Sequence, residues 1–343
     1  MTYQLQKKVQ IIVQRINTGV KEMNVSVLGC GRWGSFLAWY SNYIGHRVVS
    51  FGLESAPSYQ VLKNTGRNEW VELDKNIELS CDLDYSIERA DVIIISISSQ
   101  GLRGFFTEIA KRDLTNKKII LCMKGIEEST GKRLTEVAIE CGADKNNIAV
   151  WVGPGHIQEF TKGKPNCMVI DAYNDELIDY LIANFRSNLI RYYHGNDIIG
   201  TEVGAATKNI MGILAGVLDG MDLVTMKGAL MARGSREVAR LIKALGGNEL
   251  SAYGLCHLGD YETTLFSPHS HNRRWGEAFV KGEKFDKLAE GVSTAKAVSK
   301  LAEKLGVDMP LTNAVTAMIE KNIPPKDLLN SLFDRTLKHE FYH

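Results

Sequence analysis

Between Asn24 and His194 the chain alternates short, apolar, β-branched runs with longer stretches of helical periodicity. Near-continuous apolar runs of this length are typical of strands in a parallel sheet that is buried on both faces. The predicted strands are residues 25–28, 47–51, 91–97, 118–123, 148–152, 167–170 and 189–193. This alternation predicts an α/β fold with a doubly wound parallel sheet, in which ligands bind at the carboxyl ends of the strands.

The rest of the chain has a different pattern. Residues 197–247 contain no strand signal, only small residues, Met, Leu and strong helix formers. Residues 286–305 and 313–322 are also predicted to be helical, and Gly306 ends the first of these helices. At roughly 150 residues per domain, a chain of 343 residues predicts about two domains. We therefore predict an extension at 1–23, with helical periodicity at 10–20, an α/β domain at 24–194 and an all-helical domain at 195–343.

A glycine cluster, Gly29-Cys30-Gly31-Arg32-Trp33-Gly34, directly follows the first predicted strand and opens a helical stretch. In the Rossmann fingerprint the first glycine permits a tight turn, the second lets a pyrophosphate approach the backbone, and the third lets helix and strand pack closely. Residues 24–194 are therefore predicted to form a dinucleotide-binding domain. Glu54 stands about two positions beyond the usual ribose-binding acid, so the sequence leaves both NAD and NADP open.

Composition argues against several classes of partner. Lys and Arg total 41 against 40 for Asp and Glu, a formal net charge of +1, which disfavours a general nucleic-acid or anionic-membrane binder. The sequence has no run of about 18 apolar residues, so no membrane span is predicted. The six cysteines are scattered without CxxC pairs or metal-ligand spacing, which predicts reduced thiols, no metal site and a cytoplasmic location.

Two short segments follow predicted strands, at the edge of the sheet where ligands bind in this fold. Lys124 comes directly after residues 118–123, and a lysine at this position projects towards the ligand crevice. A solvated surface lysine is the alternative. Gly153-Pro154-Gly155 follows residues 148–152, where backbone amides would line the same crevice, and the alternative is a plain turn.

Lys208 lies in a helical stretch among very small residues. Helical spacing places Gly204, Lys208, Gly212 and Ala215 on one face, which indicates that something packs closely against that face. A lysine partly removed from water at such a place is suited to exchange a proton near neutral pH. The alternative is a solvated or snorkelling lysine beside a tight helix crossing.

A polar segment follows further along the chain. Asp260 and Thr264 precede the run Ser270-His271-Asn272-Arg273-Arg274, so an acid, hydroxyls, an amide and guanidinium groups occur within about fifteen residues. Such groups are suited to orient a lysine and to bind a phosphate, because guanidinium forks match oxyanions. The alternative is a solvated polar loop without a ligand.

Together these motifs resemble the NAD(P)-dependent sn-glycerol-3-phosphate dehydrogenase family over residues 24–311. The resemblance rests on the order of the glycine cluster, Ser98-Ser99-Gln100, Lys124-Gly125, Gly153-Pro154-Gly155, Lys208-Asn209, Leu258-Gly259-Asp260 with Thr264, Asn272-Arg273-Arg274 and Glu290-Gly291-Val292. It implies interconversion of dihydroxyacetone phosphate and sn-glycerol 3-phosphate with NAD or NADP, feeding glycerophospholipid synthesis. It also implies a homodimer, in which the helical domain supplies the catalytic lysine.

The resemblance further implies roles for individual residues. The implied catalytic residues are Lys208, Lys124, Asp260 and Thr264. The implied substrate-binding residues are Lys124, Gly153, Gly155, Ser270, His271, Asn272 and Arg273. The implied cofactor-binding residues are Gly29, Gly31, Arg32, Trp33, Gly34, Lys124, His271 and Glu290. In this scheme Lys208 exchanges the proton of the secondary hydroxyl, and Asp260 and Thr264 orient the lysine and the substrate.

The chain departs from the family pattern in the segment that binds phosphate. His271 stands where the family usually has the first arginine of Arg-Asn-Arg, and an imidazole supplies neither a fixed charge nor a guanidinium fork. Gly155 lacks the hydroxyl that is frequent in bacterial members, and Glu262 adds a carboxylate. Arg273 or Arg274 is expected to compensate.

These departures leave two alternatives. The first is a dehydrogenase of the same fold that acts on an unphosphorylated hydroxy or keto acid, which His271 and Glu262 favour. The second is a non-catalytic dinucleotide-binding sensor. A sensor needs none of Lys124, Lys208 and Asp260, so the presence of all three argues against it.

Overall fold

The computed structural model describes residues 21–336 and 339–340. The predicted helical periodicity at 10–20, and the predicted extension up to residue 20, lie outside these residues. The chain forms two compact units. The described part of the first unit runs to Lys124 and resumes as Lys132–Glu202, and the second comprises Gly125–Gly131 and the chain from Val203 onward.

The first unit contains an eight-stranded sheet, which confirms the predicted α/β class. Its strands are β1 (Asn24–Leu28), β2 (Arg47–Phe51), β3 (Ile77–Ser80), β4 (Val92–Ile95), β5 (Lys118–Leu121), β6 (Ile148–Val152), β7 (Asn166–Ala172) and β8 (Ile190–His194). They lie in the order β3-β2-β1-β4-β5-β6-β7-β8. The strand order changes direction between β1 and β4, which is the switch point where doubly wound sheets bind their ligands.

Helices connect these strands. They are α1 (Arg32–Tyr43), α2 (Pro57–Thr65), α3 (Leu83–Glu88), α4 (Leu102–Ile109), α5 (Leu134–Glu140), α6 (Ile157–Phe160) and α7 (Asp175–Phe185). The start of α7 shows the local chemistry: the Asn174 side chain accepts a hydrogen bond from the Glu176 N–H, and two acidic residues occupy the first turn. Both features satisfy or complement the N–H groups that a helix leaves unpaired at its N-terminus.

Both faces of the sheet are buried. Along β4, Val92 and Ile94 belong to one apolar cluster, whereas Ile93 and Ile95 belong to another. The first cluster includes side chains of α1 and α7, and the second includes side chains of α4 and α5. Successive strand residues face opposite sides of a sheet, so a strand covered on both sides needs an uninterrupted apolar run.

The sheet differs from an all-parallel arrangement at one end. Strand β7 pairs antiparallel with β6 and parallel with β8, so the last two strands run against the other six. The connection from β6 to β7 contains only the four-residue α6, whereas a parallel crossover needs a longer connection, usually a full helix. Strand β3 at the opposite edge was not predicted, because only its two end residues are buried.

The second unit is built from helices and turns. Helix α8 (Ile198–Gly220) begins in the first unit and continues into the second, followed by α9 (Lys227–Ala244), α10 (His271–Lys281), α11 (Glu290–Leu305), α12 (Pro310–Lys321) and α13 (Pro325–Phe333). Between α9 and α10 lie a 3₁₀ turn at Leu258–Asp260 and a π-helical turn at Glu262–Phe266. Helix α11 ends at Gly306, whose φ of +67° suits a glycine.

The six cysteines are present as thiols, and Cys30, Cys122 and Cys256 are buried. Among the described residues, no group of three or more His, Cys, Asp and Glu side chains is arranged to hold a metal ion. In the same part of the chain, no helix has both the length and the apolar character needed to cross a membrane.

Candidate active site

The turn between β1 and α1 carries the glycine cluster. A side chain would have a different effect at each of its three glycines. Gly29 has a φ of +114°, which side chains rarely adopt, and its N–H donates to the Phe51 carbonyl. A Cβ on Gly34 would overlap the carbonyl oxygen of Gly29 and push α1 away from the turn. A Cβ on Gly31 would meet no atom within 4 Å. The space beside Gly31 is therefore open at the N-terminus of α1, where this fold binds a pyrophosphate.

Arg32 and Trp33 begin α1 immediately after Gly31. The guanidinium carbon of Arg32 lies 4.3 Å from the centroid of the Trp70 ring, a cation–π contact. The Trp33 ring packs on Phe36, with ring centroids 5.0 Å apart. Both predicted cofactor-binding side chains are thus held by aromatic neighbours in the first turn of the helix.

Lys124 and the Gly153–Gly155 turn come together in the first unit. The Nζ of half-buried Lys124 donates to the Gly153 carbonyl at 3.0 Å. This contact follows from the sheet, because β5 and β6 are neighbouring parallel strands and both residues lie just beyond their carboxyl ends. A Cβ on Gly155 would lie 2.9 Å from the Phe160 ring and 3.0 Å from the Trp33 ring. Lys124 is therefore not a solvated surface lysine, and Gly155 lies in a crowded position beside α1.

Glu54 lies in an exposed position beyond the end of β2. Its Oε1 atom is 3.0 Å from the Nζ of Lys63 on α2. A carboxylate is suited to bind ribose hydroxyls, whereas a cation is suited to bind a 2′-phosphate. Both groups are present, so this region is compatible with NAD and with NADP.

Lys208 lies on α8 in the second unit and is buried, with 7% of its surface exposed. Its Nζ is 2.7 Å from Oδ2 of Asp260 and donates to Oγ1 of Thr264 at 2.7 Å. The Thr264 hydroxyl donates to the Asp260 carbonyl at 2.8 Å, which leaves its oxygen oriented to accept from the lysine. The predicted catalytic lysine and its two predicted orienting residues therefore form one hydrogen-bonded cluster.

The small residues of α8 are explained by close protein neighbours. Cβ atoms on Gly204 and Gly212 would crowd the side chains of His257 and Thr264, respectively. A Cβ on Gly216 would overlap the Arg273 carbonyl. The tight crossing proposed as one alternative is thus present, yet Lys208 is neither solvated nor snorkelling, because the same crossing buries it against Asp260.

The N-terminus of α10 gathers the predicted phosphate-binding residues. The Ser270 side chain caps the helix by accepting a hydrogen bond from the Arg273 N–H. The Nδ1 of His271 donates to the Leu288 carbonyl at 3.1 Å, since a carbonyl only accepts. The Asn272 side chain donates to Oδ1 of Asn209 at 3.0 Å and accepts from the Gly291 N–H at 2.9 Å. Asn272 therefore joins Asn209 on α8 to the start of α11, where the predicted cofactor residue Glu290 is the first residue.

The two arginines of α10 have different surroundings. The Nε of Arg273 donates to Oδ2 of Asp219, and Lys227 Nζ lies 2.6 Å from the other oxygen of the same carboxylate. Arg274 is exposed, with its guanidinium carbon 5.8 Å from the Phe285 ring centroid. Part of the positive charge expected to compensate for His271 is thus already matched by Asp219. The extra carboxylate of Glu262 is exposed to solvent.

Sequence reasoning missed Asp219, His257 and Tyr261, although all three lie beside predicted site residues. Asp219 follows Lys208 by eleven residues, about three turns of α8, and this spacing on one helix face was an available signal. His257 and Tyr261 are completely buried and bond to each other. Sequence periodicity does not reveal this contact, because the two residues lie in irregular turns.

The class of protein follows from these two sets of residues. A doubly wound sheet with an open glycine turn at its switch point is the dinucleotide-binding domain of nicotinamide-dependent dehydrogenases. The second unit adds a buried lysine paired with a carboxylate, a group suited to proton transfer. Fold and site together define an NAD(P)-dependent oxidoreductase.

The chain belongs to the NAD-dependent glycerol-3-phosphate dehydrogenase family. Residues 24–178 match the family's N-terminal domain, and residues 197–330 match its C-terminal domain. The chain is similar to the glycerol-3-phosphate dehydrogenase [NAD(P)+] of Prosthecochloris aestuarii, with 35% identity over 93% of this chain and 100% of that protein. The corresponding protein of Moorella thermoacetica is 34% identical over 92% of this chain and 97% of its own length.

A solved structure shows the same likeness. The crystal structure of glycerol-3-phosphate dehydrogenase from Coxiella burnetii matches with a TM-score of 0.84 and 28% identity, covering 92% of this chain and 99% of that one. The family, the fold class, the dehydrogenase class and the nicotinamide cofactor expected from the sequence are thereby confirmed. The roles of individual residues remain predictions.

Proposed function

We propose that this protein interconverts dihydroxyacetone phosphate and sn-glycerol 3-phosphate with NAD(H) or NADP(H). The observation that carries this proposal is the buried cluster of Lys208, Asp260 and Thr264 in a chain of this family. Reducing the ketone requires a hydride at the carbonyl carbon and a proton on the carbonyl oxygen. Lys208 is suited to deliver that proton, and in the reverse direction the same amine accepts it from the secondary hydroxyl.

The first unit is suited to hold the dinucleotide. The open space beside Gly31, the left-handed Gly29 and the close contact at Gly34 fit a pyrophosphate at the N-terminus of α1. When bound, the reduced dinucleotide supplies the hydride. Lys124, fixed on the Gly153 carbonyl, places a cation just beyond the carboxyl end of β5, where it is suited to contact the substrate.

The Lys208 cluster stabilises the charge that develops on the substrate oxygen. As the carbonyl carbon is reduced its oxygen gains negative charge, and a positioned ammonium interacts with it more strongly than with the neutral ketone. Asp260 holds the buried lysine in its charged form by supplying the opposite charge. Thr264 fixes the direction of the Nζ atom through its hydroxyl oxygen.

The start of α10 is suited to bind the phosphate. The N-terminus of a helix attracts anions, and Ser270, His271, Asn272 and Arg273 lie at this one. Glu290 begins the neighbouring α11, where we propose that it contacts the dinucleotide. We also propose a domain division near residue 195, from the change of sequence pattern there, and a cytoplasmic location, from the scattered cysteines. The family resemblance supports a homodimer.

A spectrophotometric assay tests the proposed function. NADH and NADPH are each mixed with dihydroxyacetone phosphate, dihydroxyacetone and a set of small keto acids. We expect oxidation of the dinucleotide with dihydroxyacetone phosphate and much slower oxidation with dihydroxyacetone. Turnover of a keto acid without turnover of dihydroxyacetone phosphate would support the alternative dehydrogenase that His271 and Glu262 favour. Dinucleotide binding without any turnover would indicate a sensor.

The Lys208→Ala variant tests the proposed proton transfer. We expect kcat to fall by about 100- to 10,000-fold, the range for a lost general acid, while the Kd for NADH is unchanged. Lys300→Ala is the matched control, because Lys300 is an exposed lysine on α11. Normal turnover by Lys208→Ala would refute the role of this lysine.

A further inference from the structure

His257 and Tyr261 form a completely buried pair next to the Lys208 cluster. The Tyr261 hydroxyl lies 2.6 Å from Nε2 of His257, and the two rings meet edge to face with centroids 4.8 Å apart. The other ring nitrogen, Nδ1, lies 2.9 Å from the carbonyl oxygen of Gly204. The imidazole therefore joins α8 to the turn that carries Asp260.

The direction of both hydrogen bonds follows from their partners. A carbonyl oxygen only accepts, so Nδ1 carries the proton and donates to Gly204, which leaves Nε2 to accept from the Tyr261 hydroxyl. Burial lowers the pKa of His257 to about 4, and the charge of Lys208 acts in the same direction, against the Gly204 bond and the charge of Asp260. The imidazole is thus neutral at pH 7, the form that both bonds require.

The His257–Tyr261 pair is bonded both to the helix that carries Lys208 and to the backbone that carries its two partners, Asp260 and Thr264. Gly204 lies one helical turn before Lys208, so the imidazole is bound to the turn of α8 that precedes the lysine. Asp260 follows His257 by three residues, and its N–H donates to the His257 carbonyl at 3.0 Å. The Tyr261 carbonyl accepts from the Thr264 N–H at 3.0 Å and from the Leu265 N–H at 2.7 Å. The backbone that carries the Asp260 carboxylate and the Thr264 hydroxyl is therefore attached to this pair.

We propose that His257 and Tyr261 are positioning residues that hold Asp260 and Thr264 against Lys208. The proposal rests on the proposed function, because it assigns these residues to the proton-transfer step. Asp260 and Thr264 lie on 3₁₀ and π-helical turns, which leave backbone groups less regularly bonded than an α-helix does. The imidazole adds a side-chain link from this segment to α8 beside the contacts of Lys208 itself. A displacement of about 1 Å at a catalytic group is enough to lower a rate by about a hundredfold.

Three variants separate positioning from packing. Tyr261→Phe removes only the hydroxyl, His257→Leu fills the space without a donor, and His257→Asn places an amide donor near the position of Nδ1. We expect kcat for dihydroxyacetone phosphate to fall about tenfold or more in the first two variants, with the Kd for NADH unchanged. His257→Asn is expected to recover most of the loss caused by His257→Leu, because it restores the bond to Gly204.

The pH profile gives a readout that a purely structural role would not change. The charged or polar groups that face Lys208 in this cluster include Asp260, Thr264 and the neutral His257. If the Asp260 carboxylate moves away, the buried ammonium loses its counter-charge. We therefore expect the alkaline limb of kcat for ketone reduction to move to lower pH by about one unit in Tyr261→Phe. Tyr253→Phe, at an exposed tyrosine in the preceding turn, is the control and is expected to behave as wild type.

Amide hydrogen exchange distinguishes failure of this proposal from failure of the proposed function. We expect residues 258–266 to exchange about tenfold faster in Tyr261→Phe than in wild type, without a change along α8. If wild type does not reduce dihydroxyacetone phosphate, the proposed function fails while the exchange result still reports on positioning. Unchanged kcat and pH profile in an active Tyr261→Phe would overturn the positioning role, as would unchanged exchange in residues 258–266.

Discussion

At the scale of single residues, Lys208 and Asp260 are tolerated in the interior only as a pair. Asp260 is 1% exposed and Lys208 is 7% exposed, so each charge lacks the solvent that would otherwise stabilise it. Removing one partner from a buried ion pair costs about 3–5 kcal/mol, because the other charge remains uncompensated. Replacing both with apolar residues of similar size often costs little.

A double-mutant cycle tests this dependence. We expect Asp260→Leu and Lys208→Met each to lower the free energy of unfolding by about 3–5 kcal/mol, and the double variant to recover much of that loss. Urea denaturation measures all four proteins. The equivalent changes at the pair of Lys281 and Glu277, of which Lys281 is exposed and Glu277 is partly exposed, should hardly move the denaturation midpoint. Additive effects at Lys208 and Asp260 would show that the pair is not coupled.

His271 is the residue at which the proposed phosphate site lacks a fixed charge. It is the first residue of α10, so an arginine there would add a guanidinium to the N–H groups of the helix terminus. We expect His271→Arg to lower KM for dihydroxyacetone phosphate by about tenfold, the effect of one added charged hydrogen bond. His269→Arg adds the same charge two residues earlier and is the control. An unchanged KM would indicate that the existing groups already bind the phosphate fully.

At the scale of elements, the β1–α1 turn shows that glycines of one motif differ in what they tolerate. Gly31 has a φ of −70°, which any residue adopts, and a Cβ there would enter open space. Gly34 has no such freedom, since its Cβ would overlap the backbone of Gly29. Folding therefore requires Gly34, whereas Gly31 is required only by a ligand that approaches the backbone.

Gly31→Ala should therefore separate folding from dinucleotide binding. We expect a free energy of unfolding close to that of wild type, with the Kd for NADH raised about tenfold or more because the methyl group occupies the pyrophosphate position. Calorimetric titration and thermal denaturation measure the two effects. Gly104→Ala, at an exposed glycine in α4 with no atom within 4 Å of its Cβ, is the matched control and should leave the Kd unchanged. A normal Kd for Gly31→Ala would place the pyrophosphate elsewhere.

The strands were predictable from the sequence where a local hydrophobic pattern alone determines that a strand forms. The run at β4 is apolar on both faces, and the strands β2 and β6 have the predicted bounds, because a sheet covered on both sides needs such runs. Strand β3 was missed, since an edge strand with two buried residues lacks that pattern. The reversed direction of β7 was also missed, because hydrophobicity along a strand carries no information on its direction.

The helical crossing shows the same limit at the candidate site. The small residues around Lys208 indicated a close approach to α8, and the structure shows that approach. They did not identify the neighbours, because His257, Thr264 and Arg273 come from turns and a helix some 50 to 65 residues later in the chain. The residue types around Asp260 and Thr264 suggested a segment that orients a lysine, but the assignment of these two residues to Lys208 came from the family resemblance.

At the scale of the whole molecule, buried ionisable groups make the stability depend on pH in opposing ways. Burial raises the pKa of Glu202 and of Glu237, although the charge of Arg133 opposes the shift at Glu202. A carboxyl group whose pKa is higher in the folded state takes up a proton on folding, so its contribution to stability increases as the pH falls. A buried neutral histidine has the opposite effect.

His257 is therefore expected to weaken the folded protein in mild acid. The unfolded chain binds a proton at this residue near pH 6.5, whereas the folded protein binds it only near pH 4. The unfolded state thus holds more protons between these values, and stability is lost as the pH falls through that window. At 1.36 kcal/mol per pH unit, His257 lowers the free energy of unfolding by about 2 kcal/mol between pH 7 and pH 5.

The His257→Asn variant isolates this contribution from that of the buried carboxyl groups. Asparagine does not titrate, whereas Glu202 and Glu237 remain in both proteins and cancel in the comparison. Between pH 7 and pH 5, we expect the free energy of unfolding of the variant to fall by about 2 kcal/mol less than that of wild type. Urea denaturation at the two pH values measures it, with His269→Asn as the control at an exposed histidine. An equal pH dependence in wild type and His257→Asn would mean that the buried imidazole is protonated as readily as an exposed one, which the bonds to Gly204 and Tyr261 do not permit.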